Sequence, residues 1–104
     1  MKVFILSAML SAFGSMTPAS ASNDPIPGVD VVVERVPPGH AIGQVTTTNN
    51  GIIAFKGKHK QGYYVVSDRA NTNRAGINHK GGEILWQLVK SGDRRNPWKL
   101  ILVR

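Results

Sequence analysis

Between Thr47 and Val66 the chain reads Thr-Thr-Asn-Asn-Gly-Ile-Ile-Ala-Phe, a basic glycine-containing stretch, then Gly-Tyr-Tyr-Val-Val. Asn50 and Gly51 tolerate the left-handed backbone conformations of a tight turn, and β-branched or aromatic residues crowd both sides of them. Such punctuation restricts the segment to extended structure: strand, turn, strand, loop, strand. Ile42 to Thr48 and Ile52 to Lys56 are expected to pair as a hairpin through Asn50-Gly51, with Ile53 and Phe55 turned together toward the core. Lys56 to Gly62 is expected to be the next turn. Tyr63 to Ser67 follows as a strand with Tyr64 and Val66 on one face.

The same period of two recurs along the chain. In Val29 to Val36 the valines 29, 31 and 33 share a face, and Pro37-Pro38-Gly39 ends the run because proline cannot donate to a ladder. Glu83 to Lys90 alternates Ile84, Trp86 and Leu88 against Leu85, Gln87 and Val89, and Trp98 to Val103 closes the chain after a turn at 91–97. Trp86 and Trp98 sit in apolar runs and are expected in the core. Asp68 to Gly82, rich in Asn and Gly with Ile77 as its single large apolar anchor, reads as a long loop. These segments predict an all-β fold: a small antiparallel sandwich of six to seven strands over residues 29–104, without helix.

The beginning of the chain reads differently. Met1-Lys2, an apolar run of 11 residues from Val3 to Phe13, and a small polar stretch ending Ala19-Ser20-Ala21 form the pattern of a secretory signal, residues 1–21. The run is far shorter than the ~20 residues of a spanning helix, and no other segment approaches that length. An exported protein, periplasmic or secreted, is expected. Residues 22–28, with Pro25 and Pro27, are expected to form an extended linker without sheet hydrogen bonds. Cysteine is absent, so neither disulfides nor thiol chemistry enter.

Thirteen Lys and Arg against six Asp and Glu give a net charge of +7. That balance favours anionic partners such as an envelope polymer or a lipid surface. The candidate ligand-binding residues are Lys56, Lys58, His59 and Lys60 on one connection, Arg69, Arg74 and Lys80 in the long loop, and Arg94 and Arg95 in the last turn. Tyr63, if turned outward, would add a stacking surface. Alternate connections of a sandwich share an end, so two of these groups can converge. No nucleic-acid motif accompanies the charge.

The residues offer no catalytic constellation. His40, His59 and His79 lie beside turns, too widely spaced to mark a metal site, and are expected to be exposed loop histidines. The acidic residues are scattered, and neither a nucleophile elbow nor a phosphate-binding glycine loop occurs. The expectation is a protein that is not an enzyme and that uses no metal or cofactor.

Taken in order, Gly28, Val31 and Val33, then Thr47, Gly51, Ile53 and Phe55, then Gly62, Tyr64 and Val66, resemble the pattern of the carboxypeptidase regulatory-like domain, a transthyretin-like β-sandwich. Thr48 stands where that family prefers Asp, Ile53 replaces an aromatic residue, and the likeness weakens after Ser67. The resemblance implies a fold and no active site, since the matched positions serve turns and packing. Related surface domains form Lys-to-Asn crosslinks from an early strand, but between residue 22 and Lys56 this chain has no lysine. Related hydrolases end in Tyr-Arg-Gly-Ser, whereas this sequence ends Leu-Ile-Leu-Val-Arg. The expected function is therefore a non-enzymatic exported binding or accessory module at the cell envelope. The alternative is a structural protein that associates through its sheet edges.

Overall fold

The computed structural model describes residues 23–37 and 39–103, so the expected signal segment lies outside the described residues. Within them are seven strands: β1 (Asp30–Arg35), β2 (His40–Thr46), β3 (Ile52–His59), β4 (Gly62–Asp68), β5 (Arg74–His79), β6 (Gly82–Lys90) and β7 (Trp98–Leu102). They form two antiparallel sheets, one in the order β2-β1-β4-β5 and the other β3-β6-β7.

Strand parity builds the core. Val31 and Val33 of β1, Tyr64 and Val66 of β4, and Ala75 of β5 turn inward from one sheet. Ile53, Ile84, Trp86, Leu88, Trp98 and Leu100 meet them from the other. Full burial of an aliphatic or aromatic side chain contributes about 1.5–3 kcal/mol, so these residues carry most of the stability of a domain without covalent staples. Trp86, at the centre of β6, stands edge-on to Tyr64 and His79, with ring centroids 5.6 and 5.8 Å away. Both tryptophans are buried, as their apolar runs imply.

The turn at Asn50-Gly51 does not make a hairpin. β2 lies beside β1 in one sheet and β3 beside β6 in the other, so this turn carries the chain between layers. Locally the turn closes as a three-residue hairpin loop would, with Gly51 N–H donating to the Thr48 carbonyl at 2.8 Å, Thr48 N–H to the Ile52 carbonyl at 3.2 Å and Gly51 at φ 75°, but the strands on either side part into different sheets. The Thr48 hydroxyl accepts from Asn50 N–H and Ile52 N–H, fixing the exit direction.

Two further expectations change. The stretch 68–82 is not a loop, because Arg74–His79 forms β5 and pairs with β4 over its whole length. Its inward positions are Ala75, Ile77 and His79, too little apolar surface for the alternation to stand out. The lead-in is not free of sheet hydrogen bonds either. Lys90 N–H donates to Asp24 O and Ile26 N–H to Leu88 O, at 2.8 and 2.9 Å, extending the sheet along β6 past the place where β3 begins. Pro25 sits between these two bonds, where no donor is required of it.

Candidate functional site

The antiparallel registers sort the connections into two ends. The β1–β2, β3–β4 (Lys60-Gln61) and β5–β6 (Lys80-Gly81) connections lie at one end, and the lead-in, the β2–β3, β4–β5 and β6–β7 connections lie at the other. The expected 56–62 turn is in fact mostly strand. β3 runs on to His59, but between the pairs Phe55–Ile84 and His59–Gly82 three residues of β3 oppose one of β6. Lys56-Gly57-Lys58 is therefore a bulge, with Gly57 at φ 93°, a backbone angle that side chains rarely adopt. The His59 ring closes it, its Nε2–H donating to the Lys56 carbonyl at 3.0 Å while the ring stands edge-on to Phe55. A regular strand would send Lys56 and Lys58, two residues apart, to the same face; with the bulge between them, Lys58 lines the cleft beside Arg35 and Lys56 does not.

Across the gap between the sheets lies Arg35. It shares the inward parity of Val31 and Val33 and sits opposite Tyr64, so its stem covers the end of the core. One Nη2–H donates to the Gln61 carbonyl at 3.1 Å, while Nε–H is buried without a hydrogen-bond partner among the described residues. Gly62 makes room for the guanidinium, since a Cβ there would lie 2.9 Å from Nε. The Tyr64 hydroxyl donates to the Lys60 carbonyl at 2.5 Å and anchors the turn. Together Arg35, His40, Lys58, His59, Lys60 and Tyr64 line a cleft of about 310 Å³. Among the described residues no carboxylate lines it. Glu34 belongs to the opposite face of β1, and Glu83 lines a different cleft.

Of the residues singled out in the sequence, this cleft gathers Lys58, His59 and Lys60, with Lys56 exposed on the bulge beside it. Lys80 is at the same end but lines a separate cleft of about 350 Å³ with His79, Glu83, Leu85, Trp86 and Leu102. That space is slightly larger, yet it pairs a lysine with a glutamate and has no charge excess. Arg69, Arg74, Arg94 and Arg95 lie at the opposite end, near Asp24, Asp30, Asp68 and Asp93, four of the six acidic residues. Arg69 shares a shallow depression with Asp30, and Arg95 N–H donates to the Asp93 carboxylate at 2.9 Å. Tyr63 is exposed on the outer face of β4, in a depression with Arg74, Gly76 and Asn96, and apart from the cleft.

Arg35 and His40 were not among the candidates. The signal for Arg35 is its parity: a charged residue at an inward position near a strand end must reach past the core to water. His40 pairs with Arg35 across the β1–β2 ladder and so faces the same gap.

The histidines are not three exposed loop residues. All three lie in strands, and His79 is buried, with Nε2–H donating to the Gly82 carbonyl at 3.0 Å and its ring against Tyr64 and Trp86. Among the described residues no group of three or more His, Cys, Asp or Glu side chains is placed to hold a metal ion. The resolved pKa displacement lies at the other end. The Thr72 hydroxyl, hydrogen-bonded to the Asp68 carboxylate at 2.7 Å, holds that carboxyl below the usual carboxylate range, aided by the Thr72, Asn73 and Asn71 backbone N–H groups.

No family model matches this chain, and no curated protein or solved structure matches it, so the likeness to the carboxypeptidase regulatory-like domain rests on the quoted residues alone.

Proposed function

We propose that this is a non-enzymatic exported β-sandwich that binds an anionic glycan of the cell envelope through the cleft between Arg35 and the β3 bulge. The observation that carries the reading is the composition of that cleft among the described residues: three fixed positive charges, from Arg35, Lys58 and Lys60, two imidazoles and no carboxylate. Charges of one sign between low-dielectric walls focus the field and attract counter-charge. A pendant anionic group can reach all three charges at once. Export is supported by the signal pattern of residues 1–21.

The test measures binding of the purified protein to dextran sulfate and, in a parallel arm, to phosphatidylglycerol vesicles across a range of salt concentrations. The expected result is polysaccharide binding that weakens as salt shortens the screening length and that falls in Lys58→Ala/Lys60→Ala. Binding to vesicles alone would replace the glycan by a lipid surface, and binding to neither would remove the proposal.

A second reading, association through sheet edges, draws on β7. It is an edge strand whose end exposes Leu102 and Val103, at 44% and 43%. Light scattering that shows a monomer at high concentration would count against it.

A further inference from the structure

We infer that the cleft holds a single phosphomonoester group, with the Arg35 guanidinium as its principal partner. This rests on reading the cleft as an anion site and goes one level finer, to one chemical group and one residue. Arg35 is the cation of the cleft most withdrawn from water. Its stem lies over the core, its Nη2–H is directed to a neutral carbonyl, and its Nε–H reaches no acceptor among the described residues. A guanidinium in that position is stabilised by a compensating anion, and none of the residues lining the cleft supplies one.

The guanidinium is also held in place before any ligand arrives. Gly62 beneath Nε and the Gln61 carbonyl at Nη2 restrict its rotation, and a planar fork with fixed donors suits the oxygens of a phosphate. Lys58 enters from the bulge of the opposite sheet and Lys60 from the β3–β4 turn, so charge converges from three elements. Three fixed positive charges favour a doubly charged group. A phosphomonoester carries about −1.5 to −2 near neutral pH, against a single charge for a carboxylate or a sulfate ester. The cleft, about 310 Å³ and open to solvent, has room for one phosphate group and the sugar unit that carries it.

The experiment follows the Arg35 Nε–H signal of ¹⁵N-labelled protein during titration with inorganic phosphate at constant ionic strength, with acetate as the singly charged comparison. The expected result is a saturable shift of Arg35 Nε–H, with phosphate binding at least about tenfold tighter than acetate. Arg35→Gln is expected to lose at least about tenfold in phosphate affinity, and Arg35→Lys, which keeps charge but loses the fork, to lose less. Lys58→Ala, at an exposed position with little bearing on folding, is expected to weaken phosphate severalfold. Phosphate shifts confined to Lys58 and Lys60 with Arg35 silent, or equal affinity for phosphate and acetate, would overturn the subsite while leaving any dextran sulfate binding intact. Failure of the unmodified protein to bind either dextran sulfate or phosphate would overturn the broader reading as well.

Discussion

Gly51 and Leu88 approach so closely that a Cβ on Gly51 would lie 2.5 Å from the Leu88 carbonyl oxygen, while Leu88 N–H donates to the Gly51 carbonyl at 2.8 Å. The contact ties the crossing between the sheets to the central strand of the second one. Gly51 is also buried and has φ 75°, so it faces both a backbone clash and an unfavourable dihedral if it gains a side chain. Gly28 separates the two effects, since it has φ 68° but nothing within 4 Å of its Cβ position. Gly51→Ala is expected to cost more than about 2 kcal/mol and Gly28→Ala about 1 kcal/mol, read from urea midpoints. Equal costs would mean that the approach to Leu88 is relieved by a small shift and does not constrain the crossing.

The same glycine shows what could be read from the chain and what could not. Val31, Val33, Tyr64, Val66, Ile84, Trp86 and Leu88 are inward-facing by period two, and each is buried where that alternation puts it. Partner choice is a different matter. Asn-Gly signals a turn through local dihedrals, but whether the flanking strands pair is decided by which sheet can bury each inward face. β2 finds β1, and β3 finds β6. β5 was hidden because an edge strand carrying Ala75, Gly76 and Asn78 contributes little apolar pattern. At the cleft, Lys58, His59 and Lys60 were legible as a cluster of charge. Arg35 carried a signal only in its inward parity; its place beside Tyr64 and the space that Gly62 clears for it come from the register.

Thr47 is a buried polar residue with a definite task. Its hydroxyl donates to the Ile26 carbonyl at 2.8 Å and accepts from Val29 N–H at 3.0 Å, fastening the lead-in to the start of β1. Thr47→Val keeps the volume and leaves both backbone groups without that partner. The expected loss is about 1–3 kcal/mol, while Thr47→Ser retains most of the stability. Hydrogen exchange supplies the specific readout: Ile26 N–H and Lys90 N–H, which tie the lead-in to β6, are expected to lose protection in the valine variant. Unchanged protection would mean that the ladder along β6 holds the lead-in without the threonine.

Asp68 makes the β4–β5 turn sensitive to acid. The Thr72 hydroxyl and backbone N–H groups bind the charged carboxylate, so its pKa is lower in the folded chain than in the unfolded one. The sign follows directly: the stabilisation is present above the ordinary carboxylate pKa of about 4 and is lost as pH falls through the lower folded value. Because the group is exposed, the contribution is a modest one. Urea midpoints measured between about pH 5 and 2 are expected to fall more steeply for the unmodified protein than for Asp68→Asn. Parallel curves would assign the acid limb to other carboxylates.

On the outer face of the first sheet, the phenol tip of Tyr63 occupies the space above Gly76, where a Cβ would lie 1.8 Å from the hydroxyl oxygen. Tyr63 is 46% exposed, so its ring has solvent to swing into, and nothing in the Gly76 backbone conformation requires glycine. Gly76→Ala is therefore expected to evict the ring while β5 keeps its register. The two energies oppose each other. Alanine in a strand interior gains about 0.5–1 kcal/mol over glycine, and the displaced tyrosine loses part of its contact with β5, so the net change is expected within about 1 kcal/mol of zero. Ring-proton shifts of Tyr63 are expected to move toward those of a solvated tyrosine, with the His79 and Trp86 signals unchanged on the inner side of the sheet. A large loss of stability, or altered Trp86 signals, would show that the register of β5 yields before the ring does. The same variant bears on binding: because Tyr63 stands apart from the cleft, phosphate affinity is expected to survive its displacement, and a loss would bring this face into the site.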